Sequence, residues 1–359
     1  MKYDIALKFE KAYIDKLNSI SDKMESVHFS LGLEFGLDAR KECKFDLAKI
    51  EKSLKRLDPS IKRYVTLNGR FISPDKFSER YLIGLSNLLV GWAKLGLLDG
   101  ILFLDFYFIK ALCKANSEIT EHLTLIPSIN CEIDSIEKLN QYMSHLDAIK
   151  AGLVPEKIIL DRSLNRKLGK LGDLCSYVRD RYPEMKVELL ANEGCLLHCP
   201  FKVNHDINIS CSSNTSEEWL MYSSLMSSKY GDIDSDNLNE SCLQIWADHP
   251  EDIIKTPFIR PEDQDRYSGM ADIIKISGKM IDTQILLKIL HQYINKKSIT
   301  NLIEILDAPS SLKDTYYLKG FDFPVDFIEK VGNCDKDCLS CSYCNKISDE
   351  FCIKYSDEE

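Results

Sequence analysis

Residues 157–191 read KIILDRSLNRKLGKLGDLCSYVRDRYPEMKVELLA. The stretch begins and ends with short apolar runs, KIILDR (157–162) and KVELLA (186–191). Between them, LGDLCSYVRDRY spaces its apolar residues three to four apart, the period of a helix with one buried face. A strand that is apolar at consecutive positions is buried on both faces, as parallel strands are. The order strand, helix, strand therefore predicts a parallel βαβ unit.

The same alternation continues outward. DIALKF (4–9), SVHFSLG (26–32), RYVTLN (63–68), GILFLD (100–105) and LTLIP (123–127) precede the unit, and DIIKIS (272–277) follows it. FDLAKIEKSLKRL and IEKLNQYMSHL have helical spacing. Eight strand candidates with intervening helices predict an α/β protein, a (β/α)8 TIM-like barrel. A doubly wound open sheet is the alternative, but no GxGxxG follows the first strand. Barrel chemistry sits on the loops that follow the strands, which directs attention to the residues after 162, 191 and 277. Residues 192–271 are too long for an ordinary βα connection and read as an elaborated loop. We divide the chain into a barrel, 1–308, and a C-terminal cysteine-rich extension, 309–359.

The 359 residues are 44% hydrophobic and 28% charged, with a net charge of -10. This is the balance of a globular protein with a sizeable core. The acidic sign disfavours nucleic acid as a partner without excluding it. MKYDIALKFEKAYIDK lacks the apolar core of a signal peptide. Asp105, Lys110 and Lys114 interrupt the most apolar stretch, so no membrane span is expected. A cytoplasmic location follows as the expectation. The odd number of cysteines, 13, argues against a disulfide framework there.

Two cysteine groups stand out. Ala-Asn-Glu-Gly-Cys195-Leu-Leu-His-Cys199-Pro follows the seventh strand candidate, and Cys211 and Cys242 lie in the same long loop. Gly194 permits a tight turn. Soft thiolates select zinc, copper(I) or iron–sulfur centres. His198 and His205 are nearby, as ligands or as ordinary loop histidines. The second group is Cys334, Cys338, Cys341 and Cys344, four thiols within eleven residues. A cytosolic protein needs no such density for packing. A closed zinc site and a 4Fe–4S cluster both fit it, while Cys352 reads as a packing residue. Cys334, Cys338 and Cys341 also match the CxxxCxxC spacing of radical S-adenosylmethionine enzymes. A fourth thiolate and the position at the chain's end exclude that reading.

An anionic substrate would need cations at the strand ends. Arg70, Arg162, Arg260 and Lys279 are the substrate-binding candidates. Lys275 stands inside an apolar strand and must be paired or point into a polar site. Together with Glu193 and His205 it forms the catalytic candidate set, as acid or base. Asn68 and Asn130 follow strands and are candidates to line the mouth.

ANEGCLLHCPFKVNHDINIS, LDRSLNR, TPFIRPEDQDRY and ADIIKISGKM resemble the collagenase-like peptidase family, number thirty-two of the peptidases of unassigned mechanism. The resemblance spans roughly residues 60–345. It implies a barrel with a cysteine-ligated 4Fe–4S cluster, and Cys195, Cys199 and Cys242 as its ligands. Where this chain has Cys211 the family often has histidine. The family's last strand usually ends Lys-Ile-x-Gly-Arg; here Lys279 keeps the charge without the planar fork. Members include paired proteins of oxygen-independent ubiquinone hydroxylation, hydroxylases of tRNA uridine, which draw on prephenate, or of a ribosomal RNA cytidine, and proteins with reported collagenase activity. The expectation is therefore one or two clusters in an oxygen-independent oxidoreductase or hydroxylase. A peptidase and a non-catalytic subunit are the alternatives, and a heterodimer with a related family member is the implied partnership.

Overall fold

The computed structural model describes residues 1–32, 35–39, 46–212 and 235–355, with the side chains of 208, 212 and 235–241 excepted. Eight parallel strands form the barrel: β1 Lys2–Ala6, β2 Met24–Phe29, β3 Lys62–Leu67, β4 Gly100–Phe103, β5 Thr124–Pro127, β6 Lys157–Leu160, β7 Lys186–Leu190 and β8 Ile273–Ile276. Their order around the sheet is β5-β4-β3-β2-β1-β8-β7-β6. The seam between β5 and β6 closes through one bridge, Ile133 with Leu160, where the Asp161 amide donates to the Ile133 carbonyl at 2.8 Å. All eight strands lie where the apolar runs place them.

Local chemistry sets the joints. The apolar stretch at 100–115 is a strand and a helix divided at Asp105, whose carboxylate caps the helix Phe106–Ala115 by accepting from the Phe108 amide at 3.0 Å. Ser135 caps Ile136–Ile149, and Asp46 caps Leu47–Arg56. Gly100 is required by its neighbour strand, because a Cβ there would stand 2.6 Å from the Thr124 carbonyl oxygen.

Strand residues alternate between the lumen and the outer helix layer. Tyr64, Leu102, Ile126, Ile159 and Leu190 form an apolar cluster inside the barrel. The rest of the inner surface carries charge, described below. The long loop includes helices Lys202–Ser212, Ser235–Asp248 and Glu251–Lys255, and residues 213–234 of it lie outside the described residues. In the extension, Tyr316–Leu318 pairs antiparallel with Cys352–Lys354. Its Phe323, Phe327, Val331 and Ile347 belong to the same hydrophobic cluster as the barrel's outer layer. The extension is thus packed on the barrel. Among the described residues, no helix is long and apolar enough to cross a membrane.

Candidate metal centres at the barrel mouth

The lumen carries a closed network of charge. Asp4 on β1 is fully buried. Its Oδ1 accepts from Lys275 Nζ at 2.6 Å, its Oδ2 accepts from Lys157 Nζ at 3.2 Å, and Ser26 also donates to it. Glu188 on β7 lies 2.5 Å from Lys157 Nζ and 3.1 Å from Lys275 Nζ. Lys157 also sits over the Tyr64 ring at 4.3 Å. Two carboxylates and two ammonium groups thereby balance. Burial opposes the charge on Asp4, but Lys157 and Lys275 outweigh it and hold the carboxyl well below its usual range. Lys157 is raised, its burial outweighed by Asp4 and Glu188.

His28 completes the network. Its Nδ1 meets Asp4 Oδ1 at 2.5 Å, and a carboxylate only accepts, so Nδ1 carries the proton of the neutral ring. Burial first, and then Lys275, lower its pKa from 6.5 to about 4, against the opposing pull of Asp4. Between those values an unfolded chain binds a proton that the folded chain refuses. Stability is therefore expected to fall as the pH drops from about 6.5 to about 4, by roughly 3 kcal/mol. His28→Gln should flatten that dependence in urea melts at pH 7 and pH 5. An unchanged slope would assign it to other groups.

Four of these residues, Asp4, His28, Lys157 and Glu188, were not among the sequence candidates. Asp4, His28 and Glu188 lie inside strands, the same signal that singled out Lys275, whereas Lys157 opens β6. Lys275 is a fully engaged member of the network. Lys279, after β8, pairs with Asp38 and donates to Thr66 Oγ1 at 2.7 Å. Lys275, Lys279, Glu193, Asn68 and Asn130 all line one small cavity at the mouth, about 70 Å³ in volume.

The end of β7 is held by Asn192, which is fully buried. Its Nδ2 donates to the Ser277 and Ile305 carbonyls, each at 3.1 Å, and its Oδ1 accepts from the Ser277 amide at 2.7 Å. Gly194 then turns the chain with φ +68°, and a Cβ there would stand 3.0 Å from Pro309 Cδ. Left-handed backbone plus close approach restricts the position to glycine. This turn delivers Cys195 and Cys199 to a cavity of about 190 Å³, which Asp161, Arg162 and Lys202 also line. Arg162 is buried and pairs with Glu193, while its Nη2 has no hydrogen-bond partner among the described residues.

Cys211 and Cys242 lie on Lys202–Ser212 and Ser235–Asp248, two helices in contact with each other. Cys211 is buried, and burial pushes its thiol up to about 11. His205 is on the same helix as Cys211, and His198 Nε2 meets Lys167 Nζ at 3.1 Å. Arg70 fastens this helix to the mouth. It donates to Glu132 at 2.9 Å, to Asp206 at 3.3 Å and to the Asn130 carbonyl at 3.2 Å. Arg260 lies under the extension, where it holds Asp263 through two bonds of 2.7 Å and the Gly320 carbonyl through a third.

Cys334, Cys338, Cys341 and Cys344 line one cavity of about 280 Å³. The first three are exposed and Cys344 is half-buried. The Cys341 amide donates to the Asp337 carbonyl at 3.2 Å, and Lys336 Nζ lies 3.0 Å from Cys334 Sγ. All twelve described cysteines are free thiols. Four soft donors around one cavity suit a thiolate-bound metal centre. The loop between the two groups faces both: Leu196, Leu197 and His198 line the Cys195–Cys199 cavity and also a cavity of about 370 Å³ shared with Cys334, Cys338 and Cys344.

No family model matches the chain. Over 195 residues, 54% of its length, it is 30% identical to "Uncharacterized protease MJ1657" of Methanocaldococcus jannaschii. The chain spans about half, 52%, of that protein. Among solved structures it is similar to the U32 peptidase Mk0906, at 12% identity over 77% of this chain and 93% of that one, with a TM-score of 0.45. It is also similar to the carboxyl transferase domain of Rhizobium etli pyruvate carboxylase, at 11% identity over 80% of this chain and 56% of that one, with a TM-score of 0.35. Over about half of its length the chain is thus similar in sequence to an archaeal protein named as an uncharacterized protease.

Proposed function

We propose that the chain is an iron–sulfur protein that carries out oxygen-independent redox or hydroxylation chemistry on a small molecule, peptide or RNA. The observation that carries this is the placement of two cysteine groups on either side of the loop Leu196–His198 at the barrel mouth. In this reading Cys195, Cys199, Cys211 and Cys242 hold one 4Fe–4S cluster, and Cys334, Cys338, Cys341 and Cys344 a second. Such clusters supply electron transfer and, where an iron is open, Lewis acidity.

In the extension, a closed zinc site is the alternative to a 4Fe–4S cluster, since four thiolates suit either. Glu118, Glu121 and His122 form a separate, largely exposed acidic surface cluster. The protein's own groups then have distinct tasks. Arg162 and Lys279 orient an anionic substrate, with Arg70 and Arg260 holding the surrounding segments. Glu193 and His205 are the acid–base candidates. Lys275 holds the lumen's charge balance beneath the site. A related family member is the proposed partner, as a heterodimer.

Anaerobic purification with an absorption spectrum and iron, sulfide and zinc counts tests this reading. The expected protein is brown, with iron and sulfide in equal amounts. A colourless protein that holds zinc and no sulfide would sink it. Prephenate binding to the anaerobic protein tests the hydroxylase branch; no binding would leave only redox chemistry.

The second reading is a peptidase, favoured by the similarity to an archaeal protein named as an uncharacterized protease. It requires a thiolate at Cys195 or Cys199 that is free to attack a peptide carbonyl. Cleavage of gelatin or casein that survives removal of all iron and is abolished by Cys199→Ala would establish it. If instead the chain has neither activity alone and gains one with a relative, it is a non-catalytic subunit.

A further inference from the structure

Arg166 ends the 3₁₀ turn Arg162–Arg166 that follows β6. It is only 2% exposed, yet among the described residues its hydrogen bonding is confined to Nε, which donates to the Thr256 carbonyl at 3.0 Å. Its guanidinium lies over the rings of Phe258 and Phe327, at 4.5 Å and 5.2 Å. Among the described residues, neither Nη1 nor Nη2 has a hydrogen-bond partner. A buried charge left in this state is strongly unfavourable. Ring contacts offset part of that cost, but they act on the face of the planar group and leave its in-plane N–H groups unused. Asp263, which also acts on Arg166 electrostatically, is already held by both ends of the Arg260 fork.

The cavity that Arg166 lines supplies what is missing. Its other walls include Cys334, Cys338 and Cys344, with Lys255 and Lys336. Four metal-bound thiolates outweigh the charge of a divalent ion or of an iron–sulfur core, so the filled centre is an anion. Its outer side is open to solvent at Cys334, Cys338 and Cys341. Its inner side meets a desolvated arginine with free donors.

We propose that Arg166 is the charge partner of the metal centre at Cys334, Cys338, Cys341 and Cys344, donating through both Nη groups to its sulfurs. The inference rests on a metal centre in the extension. Arg166 is a positioning residue: it fixes the extension's centre to the barrel and stabilises the centre's more negative, reduced state. A guanidinium fork suits this task because it reaches two acceptors at once, whereas a lysine offers a point charge.

The test uses the full chain, purified anaerobically as wild type, Arg166→Gln and Arg166→Lys, with folding checked by thermal melts. Two quantities are read: the rate at which excess chelator removes metal, and the midpoint potential of the centre in a mediated titration. For Arg166→Gln, metal loss at least tenfold faster is expected. The potential should fall by about 59 mV, a tenfold shift for one electron. The acceleration should vanish in a background carrying Cys338→Ala and Cys341→Ala, because the affected centre is then gone. A folded Arg166→Gln that matches wild type in both quantities overturns the inference. If the glutamine variant does not fold, Arg166→Lys takes its place: severalfold faster loss is expected, and wild-type loss overturns the inference. A wild type that holds zinc without sulfide defeats the iron–sulfur reading alone, since chelation rates still decide the role of Arg166.

Discussion

Asp4→Asn should lower the free energy of unfolding by about 3–5 kcal/mol, the cost of breaking a buried ion network from one side. Asp4 receives Lys275 at 2.6 Å and Lys157 at 3.2 Å, and its side chain has no contact with solvent. Without its charge, Glu188 alone faces two buried ammonium groups. His28 also loses the acceptor that fixes its ring. Urea unfolding at pH 7 measures the loss, and a change below about 1 kcal/mol would show that the lumen tolerates the imbalance. The double variant Asp4→Asn with Lys275→Met should lose less than the sum of its parts, since it removes one charge of each sign. This cycle also addresses Lys275 directly. A lysine whose task is to balance the lumen couples strongly to Asp4, whereas one that serves only substrate does not.

Changing Cys338 and Cys341 together to alanine should remove about half of the bound iron if each cysteine group holds its own cluster. Both residues line the extension's cavity, whereas Cys195 and Cys199 line a separate one beyond the Leu196–His198 loop. Iron and sulfide counts on the anaerobic protein measure the change. Loss of all iron, or of none, would contradict two independent sites. Metal binding and folding are linked wherever ligands come from a short exposed segment. The segment 334–341 is largely exposed, so the same variant should open the extension to protease first, with the barrel remaining resistant.

Much of the fold was legible because parallel strands are buried on both faces and announce themselves as unbroken apolar runs. All eight strand candidates correspond to observed strands. Their boundaries were less legible: Asp105 marks a cap as well as an interruption, and Gly100 is fixed by Thr124 on the adjacent strand. The cysteine groups were visible from spacing, and the turn at Gly194 from composition. The partners of the cationic candidates were not visible. Arg260 and Lys275 look alike in sequence as bases in apolar surroundings. One holds Asp263 beneath the extension, and the other holds Asp4 and Glu188 inside the barrel.

By itself the sequence determined the succession of strands and helices, the thiolate chemistry available, and the position of Cys195 after the seventh strand. These follow from periodicity and spacing, which are local. Only the tertiary structure decided that one loop walls both cysteine cavities, and that Asp4, Lys157, Glu188 and Lys275 neutralise one another. It alone decided that Arg166 is buried with two unused donors. Each of these joins residues far apart in the chain, and barrel closure is what brings Asp4 within reach of Lys275. Charge balance in a low-dielectric interior depends on such distances, which no run of sequence encodes.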